Sequence, residues 1–207
     1  MQLRLKKMYK KFHSQFGEDK HIRETFYSDY SEDGVFVDIG AGHPTKLSNS
    51  YHFERNGWDG ICIDADSRRI KELMDKRDCE VIDAVITKDR REVFFYQHPE
   101  QPDISRINVK DNGIGHKRKS IRIEDILEDF GIKKIDLLSI DVEGFELEAL
   151  ESFELEKHKP EVIIVEFLTL KNDRSFEIEK WFNTNAKNYF QFDKTTANLI
   201  YKRNNKK

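Results

Sequence analysis

Cysteine is scarce. Only Cys62 and Cys79 occur among 207 residues, too few for a disulfide framework and without the spacing of a zinc site. Cys62 lies inside an apolar run and reads as a small core residue. Long apolar runs are also missing. No segment approaches the roughly 20 apolar residues that cross a bilayer, so stable membrane insertion is not expected. The start, MQLRLKKMYKKF, is basic but has no apolar stretch of the secretory kind. It reads as a solvated helical face, and the expected compartment is cytoplasmic. An excess of one charge is absent as well: 36 Lys and Arg stand against 39 Asp and Glu, a formal net charge of -3. No global basic field exists to hold a polyanion, which sets nucleic acid aside as a partner. No repeat, low-complexity tract or Pro/Gly/Ser linker divides the chain, so 1–207 reads as a single domain. Nothing in the sequence speaks to oligomeric state.

What is present is a polar surface over an aromatic-rich interior, with 37% hydrophobic residues, 36% charged and 15 Phe. Short apolar runs alternate with helix-like polar segments. Strands are expected at 35–39, 60–64, 80–86, 93–96, 135–140 and 161–166. Helices are expected at 48–56, with Ser48 as N-cap, and at 67–76, 124–130, 145–152 and 175–183. Residues 189–192 and 197–201, turning near Asp193 and Lys194, read as a closing antiparallel pair. The stretch 97–119, punctuated by Pro99, Pro102, Gly113 and Gly115, reads as a long binding loop. Continuous Val/Ile/Leu strands separated by helices indicate an α/β three-layer sandwich on a mostly parallel sheet. Such sheets bind ligands beyond the carboxyl ends of their strands.

Those ends carry acids. The first strand runs into Asp38-Ile39-Gly40-Ala41-Gly42. Small residues there let backbone approach a ligand, although a tight strand-to-helix turn would use the same residues. The second strand ends in Asp64-Ala65, where a carboxylate is placed to accept both hydroxyls of a ribose. A cap for the next helix is the plainer role, but Asp66 or Ser67 can fill it. The third run passes Asp83-Ala84, where an adenine edge would lie. A pyrophosphate wants the third glycine of GxGxxG, yet the loop continues His43-Pro44-Thr45-Lys46. The loop chemistry therefore favours a phosphate-free nucleoside, S-adenosylmethionine, over the nicotinamide cofactor of a dehydrogenase. Farther on, Ile140-Asp141-Val142-Glu143-Gly144-Phe145-Glu146 ends a buried strand with two acids and a glycine. The dipole at a helix start accounts for Glu146 and Glu148. It accounts less well for Asp141, because a carboxylate ending an apolar strand must be solvated, paired or bound. Glu166 ends the next strand. Asp141 and Glu166 could together hold a divalent cation, or take a proton from a hydroxyl. The residues do not separate these roles.

Several of these segments, in order, resemble the FkbM-type methyltransferases: Ser14-Gln15-Phe16-Gly17-Glu18-Asp19, Phe36 to Ala41, Leu47-Ser48-Asn49-Ser50-Tyr51, Gly57 to Asp64, and Asp136 to Gly144. The similarity runs from Ser14 to Glu166. It implies a Rossmann-like class I methyltransferase fold with a seven-stranded sheet and an antiparallel last strand. It also implies S-adenosylmethionine-dependent O-methylation, commonly of sugars in glycans or of secondary metabolites. On this resemblance Asp38 and Gly40 line the methionine part of the cofactor, and Asp64 with Ala65 holds the ribose. Asp83 and Ala84 border adenine, and Gln15, Ser48 and Asn49 close over the whole. The family more often has Asn after the Gly-Ala pair and another Gly two residues on; Gly42-His43-Pro44 matches a subgroup with His-Pro. Asp141 is the first candidate for base or metal ligand, followed by Glu143 and Glu166, with His43 as alternate base, although a His beside Pro in a turn more often serves the backbone. Arg106, Lys110 and Lys117 are candidates to meet a phosphate or an acidic sugar. The acceptor could instead be a lipid or peptide, or the chain a non-catalytic cofactor-binding module.

Overall fold

Short β-branched runs, too short for helices and bounded by Gly, Asp or Pro, become the strands of a twisted sheet. The computed structural model describes residues 8–108, 113, 115–169 and 172–204. In chain order the strands are β1 (Val35–Ile39), β2 (Asp59–Asp64), β3 (Glu80–Asp83), β4 (Val85–Ile86), β5 (Glu92–Tyr96), β6 (Arg106–Asn108), β7 (His116–Ile121), β8 (Leu137–Ile140), β9 (Val162–Glu166), β10 (Tyr189–Lys194) and β11 (Asn198–Arg203). The helices are α1 (Glu18–Phe26), α2 (Tyr51–Arg55), α3 (Ser67–Lys76), α4 (Ile123–Asp129), α5 (Glu146–Leu150), α6 (Leu155–His158) and α7 (Ser175–Asn185). Seven strands form the main sheet in the order β10-β11-β9-β8-β1-β2-β3. β1, β2, β3, β8 and β9 are parallel, and β11 runs antiparallel to both β9 and β10. The α/β sandwich and the antiparallel last strand are as expected.

Alternation along the strands sorts side chains onto two faces. Val37, Ile39, Ile61, Ile63, Leu138, Ile140, Ile163 and Val165 join α4 and α7 in one core. Phe36, Cys62, Leu137, Val162 and Ile164 join Ile22 of α1, Phe53 of α2 and Leu73 of α3 in the other. The register aligns Asp38 with Cys62 and Ser139, and Asp64 follows Cys62 by two residues. By the same parity Asp141 and Glu166 continue the second face past Ser139 and Ile164. Four acids at four strand tips therefore share one side of the sheet. That placement makes the site.

Several boundaries differ from the sequence reading. The run 80–86 breaks at Ala84: β3 stays in the main sheet, whereas β4 joins a smaller sheet of order β4-β7-β5-β6. Much of the stretch 97–119 is ordered structure, with a 3-10 turn at Pro102–Ile104 followed by β6 and β7. Cross-strand hydrogen bonding to β5 overrides the Pro and Gly signals there. Lys110 lies outside the described residues. α2 begins at Tyr51, later than expected, with Ser50 at the N-cap position, although the Ser48 hydroxyl still accepts the Tyr51 N–H at 3.1 Å. Helices α1 and α6 were not anticipated. The basic start is not helical over 8–13. Instead the Tyr9 N–H reaches Asn56 Oδ1 at 2.9 Å, and Asn56 Nδ2 returns to the Tyr9 carbonyl at 3.0 Å, tying this segment to the end of α2. Among the described residues no helix is long and apolar enough to cross a membrane.

Candidate active site

The loop after β1 is built by two glycines with left-handed backbone, Gly40 at φ 74° and Gly42 at φ 58°, where a side chain would be strained. A Cβ on Gly40 would lie 1.6 Å from the Asp141 carbonyl oxygen, so the tips of β1 and β8 touch here. The N–H groups of this loop are already used. Those of Gly40 and Ala41 donate to the Ile63 carbonyl at 2.8 and 3.1 Å, and that of Gly42 donates to Asp64 Oδ2 at 2.9 Å. Asp64 Oδ1 accepts the Ala65 and Asp66 N–H groups, each at 2.8 Å. Burial raises the Asp64 carboxyl to about 6 against the pull of these three donors. Asp66 takes the capping role, accepting the Arg68 N–H at 3.0 Å, and Asp64 is left facing the cavity.

That cavity is lined by Gln15, Asp38, Gly40, His43, Ser48, Asn49, Asp64, Ala65, Ala84, Asp141, Glu143 and Glu166, so all but one of the residues expected to bind cofactor or act in catalysis converge. Asp83 is the exception. It lies beside the cavity, half-exposed, and accepts Arg118 Nη2 at 2.6 Å. Lys117 pairs with Glu92 at 2.9 Å, outside the lining. His43 is in the wall, but its Nδ1 accepts the N–H groups of Thr45 and Lys46 at 3.1 and 3.0 Å. The neutral ring then carries its proton on Nε2, which leaves no free lone pair for a base. Burial and then the nearby Arg69 depress its pKa. His43 is a turn residue in this geometry.

Carboxylate oxygens of Asp141, Glu143 and Glu166 come within 4.8 Å of one another. Asp141 has accessible surface in the cavity, yet desolvation by the protein around it, followed by the charges of Glu146, Asp38 and Asp64, raises it to about 7, although its hydrogen bond with Glu166 pulls the other way. Burial, then the Asp141 charge and the same hydrogen bond, holds Glu166 protonated well beyond neutrality. Among the described residues its Oε2 is buried with no hydrogen-bond partner. Glu143 rises to about 7, again chiefly by burial and then by Asp141, with Arg106 opposing. Glu143 also adopts a left-handed backbone, φ 52°, a conformation that costs a non-glycine residue about 1–3 kcal/mol and is held by its surroundings. Those surroundings are Glu146, fully buried, which accepts the Gly144 N–H at 2.7 Å, and Arg174, which donates to the Gly144 carbonyl and to Glu146. Glu148 pairs with Arg91 away from the cavity. Two like-charged acids this close cannot both ionise easily, so one proton is shared by Asp141 and Glu166 near neutrality.

The opposite wall comes from the small sheet, which joins the expected strand 93–96 to part of the stretch 97–119 that reads as a binding loop; its pairing had no signal in the sequence. Val85, Phe95 and Ile107 give it an apolar surface. Pro102 to Arg106 hang over the cavity mouth, tied to the start of α3: Asp103 accepts Arg69 Nε and Nη2 at 2.7 Å each, and the Ser105 hydroxyl donates to Asp66 Oδ2 at 2.7 Å. Pairings across more than thirty residues leave no local pattern to read.

Residues 38–192 match the model of the methyltransferase FkbM domain, three quarters of the chain. The chain belongs to the FkbM methyltransferase family. The crystal structure of a methyltransferase FkbM from Methylobacillus flagellatus KT shares its fold, with a TM-score of 0.59 at 14% sequence identity. The alignment covers 92% of this chain but 48% of that one, so this chain spans about half the length of that FkbM protein. No curated protein matches it. The matched region contains every cavity acid named above and excludes Gln15.

Proposed function

We propose that this FkbM-family chain is an S-adenosylmethionine-dependent O-methyltransferase acting on a hydroxyl of a sugar, in a glycan or a nucleotide sugar. The supporting observation is the state of the glycine loop. Its N–H groups are spent on Ile63 and Asp64, leaving no nest for a pyrophosphate. The residues around it are acids, suited to hydroxyls and to cationic groups. Three N–H groups already take most of the roughly four acceptor sites of the Asp64 carboxylate, which leaves Oδ2, with a single donor, open to a ribose hydroxyl. Asp38, Gly40, Ser48 and Asn49 face the amino-acid end, with Asn49 Nδ2 held by Ser139 Oγ at 3.1 Å. Ala65, Ala84, Val85, Phe95 and Ile107 offer a flat apolar slot for the base.

When bound, S-adenosylmethionine supplies a methyl group made electrophilic by the sulfonium. The protein's part is positioning and proton removal. Asp141, on the cavity floor, takes the hydroxyl proton as the acceptor oxygen attacks, a contribution of roughly 10²–10⁴-fold for general bases. Glu166 holds its own proton and donates to Asp141, steering the free oxygen toward the cavity. Glu143 and Arg106 border the acceptor side. The three carboxylates Asp141, Glu143 and Glu166, with one unpartnered oxygen among them, also suit a hard divalent cation; such an ion would hold and acidify an acceptor hydroxyl.

The test is methyl transfer from S-adenosylmethionine to a cell-surface glycan extract and to a panel of nucleotide sugars, with mass spectrometry locating the added methyl group, run with and without chelator. Methylated sugar is the expected product, and loss of turnover with chelator would assign the cation. Transfer only to lipid or peptide acceptors would overturn the sugar assignment. Tight binding of the donor with no release of S-adenosylhomocysteine from any acceptor would make the chain a cofactor-binding module.

A further inference from the structure

Behind the wall of the cavity, out of its reach, lies a chain of buried polar groups. Arg77 follows α3 and its side chain is fully buried; Glu54, on α2, is 5% exposed. Arg77 Nε donates to Glu54 Oε2, and the other Glu54 oxygen accepts the Asp78 N–H at 2.7 Å. Arg77 Nη1 reaches the Pro44 carbonyl at 3.2 Å, and Nη2 donates to Ser50 Oγ at 2.9 Å. The Ser50 hydroxyl in turn donates to Asp38 Oδ2 at 2.5 Å. Phe36, Phe53, Cys62 and Leu73 form the apolar packing around this chain. Two charges withdrawn from water into such surroundings seldom add stability, so the pair is poorly explained as a fold determinant.

Its direction is informative. Guanidinium can only donate. Ser50 therefore receives from Arg77 and spends its single proton on Asp38, whose Oδ2 must accept. Asp38 lines the cavity, whereas Ser50 and Arg77 do not. We propose that Arg77 is a positioning residue: acting through Ser50, it orients Asp38 as a hydrogen-bond acceptor for the ammonium end of the methyl donor. This rests on the cofactor reading above. Arg77 does not line the cavity, and its 2.9 Å charge-assisted hydrogen bond to Ser50 is its closest link to it, the Ser48 hydroxyl lying farther off at 3.5 Å from Nη1. Lys cannot replace it, since a point donor on a flexible stem cannot serve Glu54, Pro44 and Ser50 together.

The experiment is calorimetric titration of the full chain with S-adenosylhomocysteine, which carries the same amino-acid end, alongside thermal melts. Arg77→Lys keeps the charge beside Glu54, and Arg77→Met with Glu54→Gln removes both charges so that none is stranded. Each should bind about tenfold more weakly than the parent, the loss of one charge-assisted contact. Ser50→Ala should do the same in the parent, but cost less than about twofold once Asp38→Asn is present, because groups in one relay are non-additive. A merely structural Arg77 would lower the melting temperature and leave affinity alone. Parent-like affinity in Arg77→Lys, or a Ser50→Ala cost equal in both backgrounds, would overturn the proposal. A parent chain that does not bind S-adenosylhomocysteine at all would overturn the cofactor reading beneath it.

Discussion

Asp141 and Glu166 are similar groups that the fold treats differently. Both end apolar strands, and both are raised by burial. Both line the cavity, but Asp141 is the more exposed, and half-buried Glu166 keeps one oxygen without a partner among the described residues. On the proposed mechanism the pair divides into a base that faces the acceptor and a proton holder that supports it. Asp141→Asn is expected to lower turnover by at least about 10²-fold, with S-adenosylhomocysteine affinity changing less than about threefold; release of that product and calorimetry measure the two. Equal loss of both would move Asp141 from proton transfer to cofactor support. Glu166→Gln keeps a donor toward Asp141 and should cost less than about tenfold. The pH profile follows from the sign of the shifts. A base raised to about 7 is ionised only above that value, so kcat/KM should climb through pH 7 and level off on the alkaline side. A profile flat from 5.5 to 8.5 would exclude Asp141 and Glu143 as the titrating base.

At the scale of elements, strand parity decides which residues meet. Counting by twos along β1, β2, β8 and β9 from Phe36, Cys62, Leu137 and Val162 leads to Asp38, Asp64, Asp141 and Glu166. Those counts were available in the sequence, and so the acids, the glycine loop and the sheet class could be read there. Local patterns did not show the break at Ala84, because Asp83 reads equally well as a residue within one strand, and only the departure of β4 to a second sheet divides the run. Nor could they show the wall of Phe95, Asp103 and Ile107, whose partners lie far off in sequence. His43 illustrates a third limit: its residue type signals a base, and only its contacts show which nitrogen is spent. Element contacts also make predictions. Gly40→Ala places a methyl group against the Asp141 carbonyl and adds left-handed strain, so it should cost more than about 2 kcal/mol in chemical denaturation, with turnover falling further than stability. Arg69→Met frees Asp103 from α3 and loosens the strap over the cavity mouth. Its signature should be a KM for S-adenosylmethionine raised about three- to tenfold with kcat little changed, the loss of uniform binding.

Over the whole molecule, positive and negative charge nearly balance, yet Asp38, Asp64, Asp141 and Glu166 gather on one side of one sheet. Asp38, Asp64, Asp141, Glu143, Glu146 and Glu166 are all raised above their ordinary range, in each case chiefly by burial. Between the ordinary carboxylate range and about pH 7 the folded chain therefore holds more protons at these sites than the unfolded chain. Stability from this source must fall as pH rises through that window. Glu124, depressed to about 2 by Lys157, the Glu154 N–H and His158 against its own burial, contributes a constant amount there, because its stabilisation is lost only in stronger acid. His13, His43 and His52, depressed mainly by burial, act in the opposite sense near pH 6.5, so the parent's melting curve alone does not isolate the acids. A paired comparison does. Asp141→Asn with Glu166→Gln removes the shared proton and the repulsion while leaving the histidines untouched, and it should melt higher than the parent at pH 8, by a margin that shrinks toward pH 5. A divalent cation should raise the parent's melting temperature at pH 8 more than at pH 6, since it competes with the shared proton, and should leave the double variant unmoved. Parent and variant melting in parallel from pH 5 to 8 would mean that the strand-tip acids carry no such load, and that the fold does not give up stability to assemble this site.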